Sequence, residues 1–237
     1  MKKKDKKRQS TLIKNLAQIS AKGTHLSTPN TESSHSDIEY LDLDKVGDQA
    51  ILDIKDSNKT ARMKKFRFQL LHQWLISSFA PCKVADIGGG KGLLSYLLIN
   101  SGWSATVIDP FYQSLPNKYK DIVLETRVKI SPKENVPFIT SEFEVSMGHD
   151  FDLLIGMHAH GSNAKIIDAA HEFGCGFVLF PCCVIDEPFY PSLGVHWIES
   201  LAYYAISQNF PIKSFRLNFK GQNIGIYYPG KTQELRK

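Results

Sequence analysis

At 237 residues, with 42% hydrophobic and 22% charged residues, the chain has material for one medium domain plus a tail, and two full domains would be cramped. Its apolar runs, such as Phe177-Val178-Leu179-Phe180, are far too short to span a bilayer, and the Lys-rich start is followed by no signal-like apolar stretch. We therefore expect an intracellular, reducing setting, cytoplasmic or nuclear, with no membrane association. The four cysteines, Cys82, Cys175, Cys182 and Cys183, have neither C-x-x-C spacing nor a Cys/His spacing of zinc-site type, so free thiols and no metal are expected.

The formal net charge of +5 is unevenly placed. Lys2, Lys3, Lys4, Lys6, Lys7 and Arg8 open the chain against a single acid, Asp5, and a second basic group, Arg62, Lys64, Lys65 and Arg67, precedes the core. Clusters of this kind attract polyanions such as RNA without sequence preference, or simply solubilise a tail and a helix face. Residues 1–36 read as a basic, disordered arm, in which Leu12, Ile13, Leu16 and Ile19 mark one short amphipathic helix. Residues 37–59 read as an acidic connecting segment, and 60–237 as the folded domain.

From Thr60 the apolar residues Phe66, Leu70, Leu71, Trp74 and Leu75 recur at helical spacing, and the helix should end before Pro81. Residues 83–87 read as a buried strand, 88–90 as a turn, 92–100 as a helix and 104–108 as a second strand ending at Asp109-Pro110. The proline-containing stretch 111–137 reads as loop with a short helix, and 137–144 as a third strand. Strand, helix and strand follow at 151–155, 163–173 and 176–180, then a long helix at 195–208. Residues 212–219 and 223–228 close the chain as an antiparallel hairpin. Strand–helix alternation predicts an α/β, Rossmann-like fold with a mostly parallel sheet, whose ligands bind beyond the carboxyl ends of the strands.

Asp86-Ile87-Gly88-Gly89-Gly90-Lys91-Gly92 is the strongest local signal. It follows a strand and opens a helix. Its glycines allow a tight turn and close approach to a ligand, and its amides and the helix N-terminus suit polar ligand groups. No frame of this run matches the dinucleotide fingerprint G-x-G-x-x-G, and no Gly-Lys-Ser or Gly-Lys-Thr of a P-loop occurs. Asp109, one strand later, suits a carboxylate accepting hydrogen bonds from a ribose diol.

The run D-x-G-x-G-x-G resembles motif I of class I S-adenosylmethionine methyltransferases. That resemblance covers roughly residues 60–230 in element order. It implies that Asp86 and the backbone of Gly88, Gly89, Gly90 and Gly92 hold the methionine end of the cofactor, and that Asp109, with Pro110 after it, holds the ribose. It also implies a polar residue near the adenine after the third strand, for which Glu142 and Glu144 are the candidates, and it brings Met157 to the cofactor.

Gly156-Met157-His158-Ala159-His160-Gly161 follows the fourth strand, and Pro181-Cys182-Cys183 ends the fifth. At such a strand end His158 can orient a nucleophile, accept its proton or cap the loop, and His160 ranks below it. Adjacent cysteines are either small buried residues or reactive thiols. Together the two segments look like a group of families that includes tRNA ribose 2′-O-methyltransferases, which implies that His158, Cys182 and Cys183 line the catalytic pocket. Relatives with a cysteine before the loop glycine have it where this chain has His160, and no zinc-finger segment accompanies the domain. The resemblance implies a methyltransferase acting on RNA, tRNA or rRNA, with a ribose hydroxyl as the acceptor. The alternatives are a protein or small-molecule acceptor, or a non-catalytic RNA-binding or scaffold protein that keeps the fold.

Overall fold

The computed structural model describes residues 3–24 and 63–230. The acidic segment 37–59, Arg62 and the side chains of Lys2 to Arg8 lie outside the described residues.

Seven strands form one sheet: β1 (Lys83–Ile87), β2 (Ser104–Ile108), β5 (Phe138–Ile139), β6 (Leu153–Met157), β7 (Gly176–Phe180), β8 (Lys213–Arg216) and β9 (Ile224–Tyr228), in the order β5-β2-β1-β6-β7-β9-β8. The first five are mutually parallel, and β9 runs antiparallel to both β7 and β8. This is the expected Rossmann-like α/β sheet with its terminal hairpin. Strand order reverses between β1 and β6, so a crevice opens beyond the carboxyl ends of those two strands.

Every residue of β6 and β7 is buried, as a parallel sheet covered on both faces requires. Alternation within β1 divides the core. Ala85 and Ile87 point to one face, with Leu154, Leu179, Ile166 of α4 (Asn163–Phe173) and Leu201 of α5 (Trp197–Ser207). Val84 points to the other, with Leu71 and Trp74 of α2 (Arg67–Ser78) and Leu94 and Leu98 of α3 (Leu93–Ile99). Trp74 stacks on Phe215 at 3.8 Å between centroids, tying α2 to the edge strand β8. α2 starts later than the periodicity from Thr60 suggests, behind a 3₁₀ turn at Lys64–Phe66.

Between β2 and β5 the expected short helix is not found. Two strands, β3 (Lys118–Lys120) and β4 (Arg127–Lys129), form a separate antiparallel pair, anchored where the Gln69 side chain donates to the Lys120 carbonyl and accepts from Ile122 N. The third strand of the main sheet shrinks to two residues, since prolines at 132 and 137 leave little chain able to enter a ladder.

Where it is described, the basic arm also departs from expectation, its residues 25–36 lying outside the described ones. Residues Lys3–Thr24 form a single helix, α1, rather than disordered chain with one short helical piece. Leu16 and Ile19 are buried against α5 and β8, Asn15 Nδ2 donates to Glu199 Oε1 at 2.8 Å, and the Ser20 hydroxyl donates to the Ile212 carbonyl. Composition alone favours disorder here, but two apolar residues one turn apart suffice once α5 offers a surface for them. We expect Leu16→Ala to lower unfolding free energy by about 2–4 kcal/mol in a denaturant titration, the usual cost of emptying a core leucine site. An unchanged midpoint would mean that α1 does not dock.

Candidate active site

The glycine turn stands at the end of β1, and three of its residues, Gly88, Gly90 and Gly92, have φ of +65°, +55° and +69°. Side chains are also sterically excluded: a Cβ on Gly92 would lie 2.8 Å from Val136 Cγ2, and one on Gly89 would lie 2.7 Å from the Asp86 carboxylate. Gly90 differs, because a Cβ there meets only Gln113 Nε2, at 3.8 Å, so this is the glycine that looks into open crevice. The amides of Gly88, Gly90 and Gly92 are engaged internally, by Ile108 O, Asp109 Oδ2 and Gly89 O. These glycines therefore act chiefly through shape, and less through free amides than the sequence suggests.

Asp86 lies beneath the turn, 1% exposed, and accepts a hydrogen bond from Ser95 Oγ on α3 at 2.9 Å. Its alternation partner is Val84, so it faces α3, and contact with a ligand would have to come from below the turn. Burial raises its pKa to about 6, against the opposing pull of the Ser95 hydroxyl and amide, and the nearby Asp109 carboxylate adds to the rise. Because the folded state holds this proton more tightly than the unfolded chain, the stabilising contribution is full below the ordinary carboxylate pKa and is lost as pH rises to about 6. Asp86→Asn removes that loss. We expect the variant's thermal stability to match the parent near pH 4 and to exceed it at pH 7–8, by at most about 2–3 kcal/mol. A difference independent of pH would show that Asp86 is not buried as a charge.

Asp109 ends β2 and crosses to the turn. Its Oδ2 accepts from Gly90 N at 3.0 Å and its Oδ1 from Phe111 N at 2.9 Å. A carboxylate has about four acceptor positions, so each oxygen keeps one for a hydroxyl donor. Pro110 beside it is exposed. Phe111 and Tyr112 follow at 75% and 65% exposure, two aromatic faces in the open next to a carboxylate. Periodicity could not single them out, since their message is exposure.

Glu142 is exposed, three residues beyond the short β5, and Glu144 is drawn away into an ion pair with Lys165 at 2.9 Å. Two residues beyond β5 is Ser141, whose hydroxyl is buried with no hydrogen-bond partner among the described residues. Met157 lies within a strand and not in the loop expected for it. β6 runs to residue 157, two residues beyond the expected end, and period-two alternation puts Met157 on the core face with Leu153, Ile155 and Phe180. It is 4% exposed and its side chain belongs to the core.

The loop after β6 meets the glycine turn directly: a Cβ on Gly88 would lie 3.1 Å from Ala159. His158 has φ +63°, a conformation a non-glycine residue adopts only when its surroundings enforce it, here with its amide bonded to Phe180 O at 3.1 Å. Both its ring nitrogens are buried without a partner among the described residues. Burial lowers its pKa to about 4, and Arg67, Lys64 and His160 push it further the same way. The imidazole is therefore neutral at ordinary pH. Lys64 and Arg67, noted in the sequence only as part of a basic run, thus act electrostatically on His158.

His160, ranked below His158 in the sequence, is the histidine that touches the cysteines. Its Nδ1 lies 3.1 Å from Cys183 Sγ and its Nε2 3.6 Å from Cys182 Sγ. The Cys/His spacing carries no sign of this contact, because linear spacing cannot register one made between two strand ends. Burial raises the Cys182 thiol to about 11, with Cys183 next to it.

Glu187 holds the two loops in register, a residue the sequence offered no reason to choose. Buried at 6% exposure, it accepts from Asn163 N at 3.0 Å and from Ala164 N at 3.1 Å, at the start of α4, while Asn163 Nδ2 donates to Ala159 O. Glu187→Ala strands those amides and should lower stability by about 1–3 kcal/mol, measured by chemical denaturation. A variant as stable as the parent would remove the clamp from the account.

No family model matches the chain. A stretch of 103 residues is 34% identical to a probable tRNA (uracil-O(2)-)-methyltransferase of Caenorhabditis elegans and 33% identical to the protein of the same name from Caenorhabditis briggsae. Each match covers 44% of this chain, which spans only 17% of either relative's length. Among solved structures, the Burkholderia thailandensis 1,6-didemethyltoxoflavin-N1-methyltransferase, with bound 1,6-didemethyltoxoflavin and S-adenosylhomocysteine, is similar at 14% identity and a TM-score of 0.40, over 89% of this chain and 94% of its own.

Proposed function

We propose that the chain is an S-adenosylmethionine-dependent methyltransferase of class I, and that its acceptor is an oxygen of RNA, a tRNA ribose hydroxyl being the first to test. The observation that carries this is Asp109. Its carboxylate is fixed by two amides at a strand end, retains acceptor capacity for two hydroxyls, and sits over a glycine turn that keeps the crevice clear. That arrangement suits the ribose of an adenosyl ligand, with Phe111 and Tyr112 offering faces for its base. The named worm relatives support a tRNA acceptor and an oxygen atom. Lys64 and Arg67 support it independently, as cations beside His158 where a phosphate would arrive. The same reading carries a reducing compartment, in which the four cysteines form no disulfide.

Bound S-adenosylmethionine supplies an electrophilic methyl group. The residues of this chain have the remaining tasks of aiming the acceptor oxygen, excluding water and taking up the hydroxyl proton. His158 is our candidate for the last, since its ring is neutral and both nitrogens are unpartnered among the described residues.

Asp109→Ala should weaken S-adenosylmethionine binding by about 1–3 kcal/mol in calorimetry, the cost of losing a charged hydrogen-bond partner. Failure of the folded parent to bind the cofactor would leave only a scaffold role. For the acceptor, a tritiated-cofactor assay against total RNA, total protein and a metabolite extract is decisive, and label in the RNA fraction is expected. Lys64→Gln with Arg67→Gln should also weaken RNA binding and flatten its salt dependence, by about one unit of slope for each phosphate no longer neutralised. Lysine-to-glutamine changes in the first eight residues test the arm better than deletion, which would also strip Leu16 and Ile19 from the core.

A further inference from the structure

We propose that His160, Cys182 and Cys183 bind one zinc ion at the rim of the crevice, through one imidazole nitrogen and two thiolates, with the fourth coordination position open. Among the described residues, one ligand atom from each of the three lies within 4.8 Å of the others. A tetrahedral zinc, with bonds of about 2.3 Å to sulfur and about 2.0–2.1 Å to nitrogen, sets two of its sulfurs about 3.8 Å apart and a sulfur and a nitrogen about 3.5 Å apart. The two sulfurs here are 3.7 Å apart, and the ring meets them through different nitrogens, Nε2 at 3.6 Å from Cys182 Sγ and Nδ1 at 3.1 Å from Cys183 Sγ. An ion therefore fits with little more than a turn of the imidazole.

Neighbouring residues in a strand point to opposite faces and cannot share an ion. Cys182 and Cys183 escape that restriction because β7 ends at Phe180 and Pro181 cannot continue the ladder. Both loops are also held from outside the cluster. Glu187 ties the chain after Cys183 to the start of α4, and Gly161 packs so closely on Asp186 that a Cβ would lie 2.9 Å from Asp186 Cβ. The triad is thus fixed by groups that are not its ligands, as a preorganised metal site requires. Half-buried cysteines beside an exposed histidine leave a route for the ion and room for a water or acceptor oxygen as fourth ligand. Two sulfurs and one nitrogen favour zinc over magnesium or calcium, which take oxygen ligands.

The test is metal analysis of the full chain, purified without chelator and dialysed against metal-free buffer, then competition with a chromophoric zinc chelator. We expect about one zinc per chain. Cys182→Ser, Cys183→Ser and His160→Ala should each weaken binding at least about tenfold, and the double cysteine variant should hold none. Cys82→Ser should leave the metal in place. His160 is exposed, so its variant keeps the fold, which circular dichroism checks. Cobalt substitution should give thiolate-to-cobalt absorption, absent from the double variant. Folded parent protein without zinc, zinc unaffected by the double change, or the two cysteines found oxidised to each other would each overturn the proposal.

Discussion

The backbone bond from Gly88 N to Ile108 O lays the turn after β1 against the end of β2, and the hydrogen bond from Gly90 N to Asp109 adds a side-chain tie between the same two strand ends. With it, an acid on one strand fixes the glycine turn on its neighbour while keeping lone pairs to spare. Asp86 supports the same turn from below through Ser95 and tolerates full burial at a cost that its raised pKa records. Two carboxylates thus act on one turn from opposite sides, one toward the crevice and one toward the core.

Legibility in the sequence followed how locally each feature is determined. Strands β1, β2 and β7 and helix α4 were readable to the residue, because short apolar runs bounded by Gly, Pro or Asp leave little freedom in placing them. β6 was found but set two residues early, which placed Met157 in the loop when it belongs to the strand. A run of five apolar or small residues carries no internal mark of where the ladder stops. The docking of α1 was illegible for another reason: Leu16 and Ile19 make an apolar stripe only in relation to α5, which lies far away in sequence.

Asp109 and the glycines could be recognised because their chemistry is carried by residue type and order. Ser141, Glu187 and the His160–Cys182–Cys183 contact could not, since each depends on what is near in space. A lone serine, a glutamate in a proline-containing loop and a pair of cysteines have many bland uses. The fold selects among them by bringing the ends of β6 and β7 side by side, with the start of α4 between their loops.

The crevice is consequently built in two halves of different chemistry. On the β1–β2 side the groups are hard oxygen acceptors and exposed aromatic faces, suited to hydroxyls and a flat base. On the β6–β7 side they are sulfur and imidazole, flanked by the cations Lys64 and Arg67, suited to a soft metal ion and an anionic chain. The halves meet where Ala159 fills the space that a side chain on Gly88 would need. That packing ties the placement of the histidine loop to the shape of the glycine turn, so a larger residue at position 88 would disturb both halves at once. The positive φ of Gly88, which glycine alone adopts without strain, is therefore a requirement of the whole crevice and not only of the turn in which it lies.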